Sequence, residues 1–223
     1  MKQLILCYVL IMLFPLSAFA RQFGNDTIPC NRITMEGASS IDISTWRFEM
    51  SYHYMMHKYC GLGISFGFLE EYTGENMPSG EDWRMVDDFK KVSHIYFCPS
   101  IHLTVQDIVK ISNTKLGLFV EPGMRMFIPY ARVLIERFDS KGEKISNYIS
   151  VNSHKGEWAY VNIKLGLCIH TVRNLGFSFG YSYSPMDMYY LRRIMHYKNE
   201  SFNDFYPPKK SIKELTFTMS YTF

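Results

Sequence analysis

From Lys213 to Phe223 the sequence alternates without a break. Leu215, Phe217, Met219, Tyr221 and Phe223 fall on one face of an extended chain, and Glu214, Thr216, Thr218, Ser220 and Thr222 on the other, because successive side chains of a strand point to opposite faces. One face is wholly apolar; the other is polar and mostly small. The ends of soluble domains tend to fray, so an apolar strand running to an aromatic last residue fits water poorly. It fits a transmembrane barrel, in which the apolar side meets lipid and the polar side meets the lumen.

The beginning of the chain points the same way. Lys2 precedes an apolar run from Leu4 to Phe14, and Ala18-Phe19-Ala20 makes a small-aromatic-small cleavage site before Arg21. This is the pattern of a secretory signal peptide over residues 1–20. The run is shorter than the ~20 residues of a helical membrane span. Cys7 lies inside it and no cysteine follows Ala20 directly, so no lipoprotein anchor is expected. Residues 21–31 are read as a periplasmic segment and 32–223 as the barrel. Apolar residues make up 47% of the chain, yet beyond the signal they recur every second position, which selects sheet over membrane helices. The net charge of +3 is unclustered, so no nucleic-acid partner is expected.

Period-two alternation yields eight candidate strands. The first carries Ile33 and Met35 against Thr34 and Glu36 and ends near Ser39. The second runs from Thr45 to Met56, with Trp46, Phe48, Met50, Tyr52, Tyr54 and Met56 opposite Arg47, Glu49, Ser51 and His53. The third sets Leu62, Ile64, Phe66 and Phe68 against Gly61, Gly63, Ser65 and Gly67. The fourth sets Ile95 to Leu103 against Tyr96, Cys98, Ser100, His102 and Thr104. The fifth faces Leu116 to Met126 away from Gly117, Phe119, Glu121, Gly123 and Arg125. The sixth places Val161 to Ile169 outward and Asn162, Lys164, Gly166, Cys168 and His170 inward. The seventh alternates Leu175 to Tyr183 with Gly176 to Ser184, and the terminal strand is the eighth.

The connections sort by parity. Those after strands two and six are about two residues, and the one after strand four is moderate. Those after strands three, five and seven reach roughly 20–30 residues, the alternation of short periplasmic turns and long external loops found in outer-membrane barrels. Residues 73 to 91 read as a long loop, and Tyr130 to Arg137 with Ile145 to Val151 as a hairpin beyond the membrane. Pro99 and Pro122 fall mid-strand, so local bulges are expected there.

An eight-stranded barrel is just wide enough for its interior side chains to fill it. The inward charges are Glu36, Arg47, Glu49, His53, Glu121, Arg125, Lys164, His170 and Glu214. They are of mixed sign and must pair, since an unpaired buried ion costs several kcal/mol. A plugging network is the favoured reading and a narrow charge-gated path the other; strand register is needed to say which pairs form. Aromatic residues near strand ends, among them Trp46, Tyr52, Trp158 and Tyr221, suit interfacial girdles. His53, His94, His102 and His170 face inward near serines, but no hydrolytic group lies on a lipid-facing side, so no catalysis is expected. Cys30, Cys60, Cys98 and Cys168 are dispersed, with no metal-ligand spacing and no disulfide expected between Cys98 and Cys168. No cofactor is expected either.

The terminal strand ending in Phe223 resembles the β-signal read by the outer-membrane assembly machinery, with Leu215, Phe217, Met219, Tyr221 and Phe223 in the matching positions. The overall plan resembles small OmpA- and OmpX-like barrels. The segments Leu118-Phe119-Val120-Glu121-Pro122-Gly123, Lys155-Gly156-Glu157-Trp158 and Tyr206-Pro207-Pro208-Lys209-Lys210 are similar to outer-membrane barrels of Bacteroides-type bacteria. The resemblance implies an all-β, eight-stranded antiparallel up-and-down transmembrane β-barrel in the outer membrane. Its implied partners are outer-membrane lipid and the assembly machinery. A monomer with an envelope-structural or surface-interaction role is expected, with the loop residues Met186, Met188, Tyr189, Tyr190, Phe202, Phe205 and Tyr206 either forming a binding ridge for an extracellular ligand or packing on one another above the barrel. A narrow channel or small-solute transporter and a lipid-modifying enzyme are the alternatives.

Overall fold

The structure, a computed structural model, describes residues 30–41, 44–72, 77–86, 91–111, 114–170, 174–206 and 208–223. The expected signal peptide and residues 21–29 lie outside them. In chain order the strands are β1 (Cys30–Ser40), β2 (Thr45–His57), β3 (Cys60–Tyr72), β4 (Trp83–Val86), β5 (Lys91–Ile111), β6 (Thr114–Met126), β7 (Ala131–Phe138), β8 (Lys144–Ser153), β9 (Ala159–His170), β10 (Leu175–Ser184), β11 (His196–Tyr197), β12 (Glu200–Ser201) and β13 (Ile212–Thr222), with one helical turn, α1 (Tyr190–Arg193), before β11.

Eight of these strands close into a barrel in the order β1-β13-β10-β9-β6-β5-β3-β2, with every neighbouring pair antiparallel. β1 closes the sheet on both sides. It runs from Arg32↔Thr222 to Ser40↔Glu214 against β13, and from Cys30↔Met55 to Ser39↔Trp46 against β2. The alternation decides the radial direction of each side chain: Ile33, Phe48, Phe66, Val120, Leu165 and Phe217 are exposed outward, while Glu36, Arg47, Ser65, Glu121, Lys164 and Glu214 are buried inside. The molecule is therefore inside-out relative to a water-soluble domain, apolar where it is exposed and polar where it is enclosed.

Two strand expectations need correction. β5 does not end near Thr104 but continues to Ile111, leaving only residues 112–113 before β6. Its register shifts between Val105 and Val109, so the adjacent Ile108 and Val109 are both exposed. That bulge hides the strand from a period-two reading. At the prolines, by contrast, no shift occurs. Phe97↔Met126, Ser100↔Gly123 and Leu103↔Val120 keep one register past both, while Pro99 pairs with Ile64 on β3 and Pro122 with Ile163 on β9. Both missing N–H groups are thus tolerated with the sheet register intact. The second of the two register shifts in the barrel lies between Met55 and His57, beside the 58–59 turn.

The long connections build a second layer over one end of the barrel. Residues 73–91 are not all loop: β4 pairs with β7, and β7 with β8, in a three-stranded sheet. Trp83, Met85, Val133 and Ile135 from this sheet are buried together with Met186, Met188, Tyr189, Met195, Phe202 and Tyr206 of the last loop. The Trp83 ring stacks 5.8 Å from Phe202 and meets Tyr197 edge-on at 5.2 Å. Of the two roles expected for these loop residues, the binding ridge is corrected and the mutual packing is what the structure has. Of the seven residues only Tyr190 is exposed, and Met186, Met188, Phe202 and Tyr206 are at most 2% accessible. Burial of such side chains stabilises by roughly 1.5–3 kcal/mol each, so loops held above a barrel gain more by packing on one another than by standing in water.

Candidate functional site

The lumen is where the buried polar chemistry collects, and register explains its arrangement. β1 and β2 place Glu36 directly opposite Glu49, a like-charge pair that is unfavourable by itself. Two cations bracket it. Arg47 reaches Glu36 at 2.6 Å and Glu49 at 2.9 Å, and Lys164 reaches them at 3.1 and 2.5 Å. Arg47 also donates from Nε to Glu214 at 2.9 Å, and Glu214 accepts a further bond from Arg125 at 3.0 Å. The Tyr96 hydroxyl donates to Glu49 at 2.5 Å, while Ser51 and Thr218 donate to Glu49 and Glu36. Every one of these side chains is nearly or wholly buried, the condition under which a paired, hydrogen-bonded charge is tolerated and a lone one is not.

Gly67 makes part of this network possible. It lies opposite Tyr96 on β5, and a Cβ at Gly67 would land inside the Tyr96 ring. The absent side chain is what lets Tyr96 lie across the lumen to Glu49, with Arg125 over its ring face at 5.2 Å.

A second group lies nearer the short-turn end. His53 on β2, His102 on β5 and Glu121 on β6 converge. His102 Nδ1 is 2.8 Å from Glu121 Oε2, and His53 Nε2 is 3.2 Å from the same oxygen. The two imidazoles stand edge to face at 5.2 Å. Arg32 Nη1 lies 3.0 Å from His102 Nε2. Because a guanidinium only donates, Nε2 accepts, and the His102 proton sits on Nδ1, aimed at Glu121. Ser100 donates to Glu121 Oε1 at 3.2 Å, so the serine nearest this group serves the carboxylate and not an imidazole.

Of the nine inward charges read from the sequence, eight meet in these two groups. His170 stands apart at the end of β9, half-buried beside Gly176. Sequence reasoning placed Tyr96 and His102 inward without joining them to the charges, and it passed over Arg32. The signal for Arg32 is plain afterwards: Arg32-Thr34-Glu36 continues the inward period of β1 by one more position.

The long-loop end is closed by its own polar contacts. Glu71 at the rim of β3 accepts bonds from Thr45 at 2.5 Å and from both Tyr189 and Lys209 at 2.8 Å, fastening the last loop across the barrel mouth. Arg192 donates to the Lys91 carbonyl at 2.9 Å. Leu215, Phe217, Met219, Tyr221 and Phe223, expected from the sequence to serve as an assembly signal, are all exposed. Cys60, Cys98 and Cys168 are free thiols.

No family model matches the chain, and no curated protein matches it. Among solved structures, the N-terminal β-barrel domain of Pseudomonas aeruginosa OprF is similar at 12% identity and a TM-score of 0.44, covering 87% of this chain and 97% of that one. Neisserial surface protein A is similar at 12% identity and a TM-score of 0.39, over 87% and 96%. The outer-membrane enzyme PagL is similar at 8% identity and a TM-score of 0.39, over 85% and 98%.

Proposed function

We propose that this protein is an integral outer-membrane barrel with an envelope-structural or surface-interaction role, acting through the cap that its long loops build, and not through a pore. The observation that carries this reading is the distribution of polarity. Apolar side chains from all eight barrel strands face out, the lumen is crossed by paired charges, and the long-loop end is closed by an apolar cap. Outer-membrane lipid would contact the belt, and the assembly machinery would read the terminal strand. The surface left for a partner is the charged outer side of β7 and β8, where Arg132, Lys144, Tyr148 and Ser150 are exposed, since the last loop is spent on the cap.

The test begins with outer-membrane fractions of a producing strain. A band whose gel mobility changes only after boiling is expected, and recovery in the soluble periplasm without such a shift would refute the reading. Purified protein in planar bilayers is expected to give no stepwise current. Reproducible channels abolished by Arg47→Ala would replace this reading with the transport one.

A further inference from the structure

We propose that His53, His102 and Glu121 form a binding site for a late first-row divalent cation of the zinc type inside the barrel. Two imidazoles and one carboxylate are the donor set such a cation takes, with ligand distances of about 2.0–2.2 Å. One potential ligand atom from each residue lies within 4.8 Å of the others, and all three side chains are buried. The spacings of 2.8 and 3.2 Å from Glu121 Oε2 to the two ring nitrogens are a few tenths of an ångström short of the ~3.3 Å between ligands in a tetrahedral site. Small side-chain rotations supply the difference.

Two independent observations separate this group from a merely structural hydrogen-bond cluster. His53 is 2% exposed, yet its Nδ1 makes no hydrogen bond, and the contact of its Nε2 is the 3.2 Å approach to Glu121 Oε2. A buried imidazole with an unbonded nitrogen is costly, and the chain goes further to accommodate it. A Cβ at Gly63 would sit 2.5 Å from His53 Cδ2 and 2.7 Å from Nε2, so β3 leaves a gap where this ring lies. The second observation is electrostatic. Glu36, Glu49 and Glu214 each pair with a lysine or arginine nitrogen within 3.1 Å, whereas among the described residues Glu121 pairs with Lys164 Nζ at 3.8 Å, a group held more closely by Glu36 and Glu49, and with the two imidazoles at 2.8 and 3.2 Å. Glu121 thus leans on the two imidazoles more than on lysine or arginine, and a dication between the three residues would meet its charge directly.

Binding has an opposing term in Arg32. Coordination through His102 Nδ1 moves the ring proton to Nε2, where it meets the Arg32 donor, so the guanidinium must turn away. No net proton is released by this tautomer change. Arg32→Gln is therefore expected to bind the cation more tightly than the wild type.

The experiment uses the full barrel, folded in detergent and verified by heat-modifiability, with zinc(II) alone as the probe. Calorimetric titration and metal analysis after gel filtration are expected to find one zinc per chain, and cobalt(II) to give visible ligand-field bands. His53→Ala gives up the 3.2 Å contact with Glu121 but leaves Glu121 its bonds from His102 and Ser100, and is expected to keep the fold, as heat-modifiability checks, while weakening zinc binding by about 100-fold or more, the upper end of what even an outer-shell partner is worth. His57→Ala, outside the lumen, is expected to change nothing. A folded wild type that takes up less than one zinc, or that binds no more tightly than His53→Ala, overturns the proposal.

Discussion

The most decisive perturbation of the lumen is Arg47→Met, which keeps most of the side-chain volume and removes the charge. Arg47 touches three carboxylates, Glu36, Glu49 and Glu214, at 2.6 to 2.9 Å. At a charge separation near 4 Å and an effective dielectric of 20, each contact represents about 4 kcal/mol of gross attraction. Most of that is offset by the cost of holding a desolvated guanidinium, and each acid keeps one cation: Lys164 for Glu36 and Glu49, Arg125 for Glu214. What remains is the measured range for breaking a buried ion pair, about 3–5 kcal/mol. The matched control is Arg84→Met. Arg84 also pairs with a glutamate, Glu136 at 2.7 Å, but its own side chain is 61% exposed and the buried Glu136 keeps Lys144 as a partner, so the loss is expected to stay near the ~0–1 kcal/mol of solvent-screened pairs. Equilibrium denaturation in micelles, followed by tryptophan fluorescence, reads both. If Arg47→Met costs no more than Arg84→Met, the lumen charges do not hold the barrel together and the argument fails.

Three further outcomes follow from the same geometry. Gly67→Ala forces Tyr96 out of its place across the lumen and is expected to cost about 1–3 kcal/mol as an overpacked core does; unchanged denaturation together with a retained Tyr96–Glu49 bond would count against the packing account. Phe217→Arg, on the exposed apolar face of β13, is expected to cost about 2–4 kcal/mol in lipid, measured against the same substitution at the loop residue Tyr148, which should be near neutral. Glu136, bonded by Lys144 and Arg84, has its carboxyl held below the ordinary value of 4.5, so it binds protons less readily folded than unfolded. Its contribution to the β4–β7–β8 sheet is present above that value and is lost as pH falls below it. Hydrogen exchange of the sheet should show this loss in the wild type and not in Glu136→Gln.

The barrel was legible because lipid exposure and lumen burial act on alternate residues, and alternation survives in one dimension. β2, β9, β10 and β13 could be read almost to the residue, and Glu36, Arg47, Lys164 and Glu214 could be placed inward before any register was known. Where the period breaks, the reading broke too. β5 past Thr104 was lost because a bulge puts Ile108 and Val109 on one face. β4 reads as loop in the sequence because four residues are too few to show a period, and Trp83 is buried by partners some 50 and 120 positions away.

Sequence by itself determined which residues face lipid and which face inward, since that depends only on odd or even position along a strand. Tertiary structure alone decided what those inward residues meet. Closing the sheet brings Glu36 opposite Glu49, sets Lys164 between them, and gathers His53, His102 and Glu121 from three strands around one carboxylate oxygen. It also decided between surface and core for the apolar residues of the last loop, in favour of core. Partner choice across a lumen depends on register and on closure, and both arise from pairings between strands far apart in the chain.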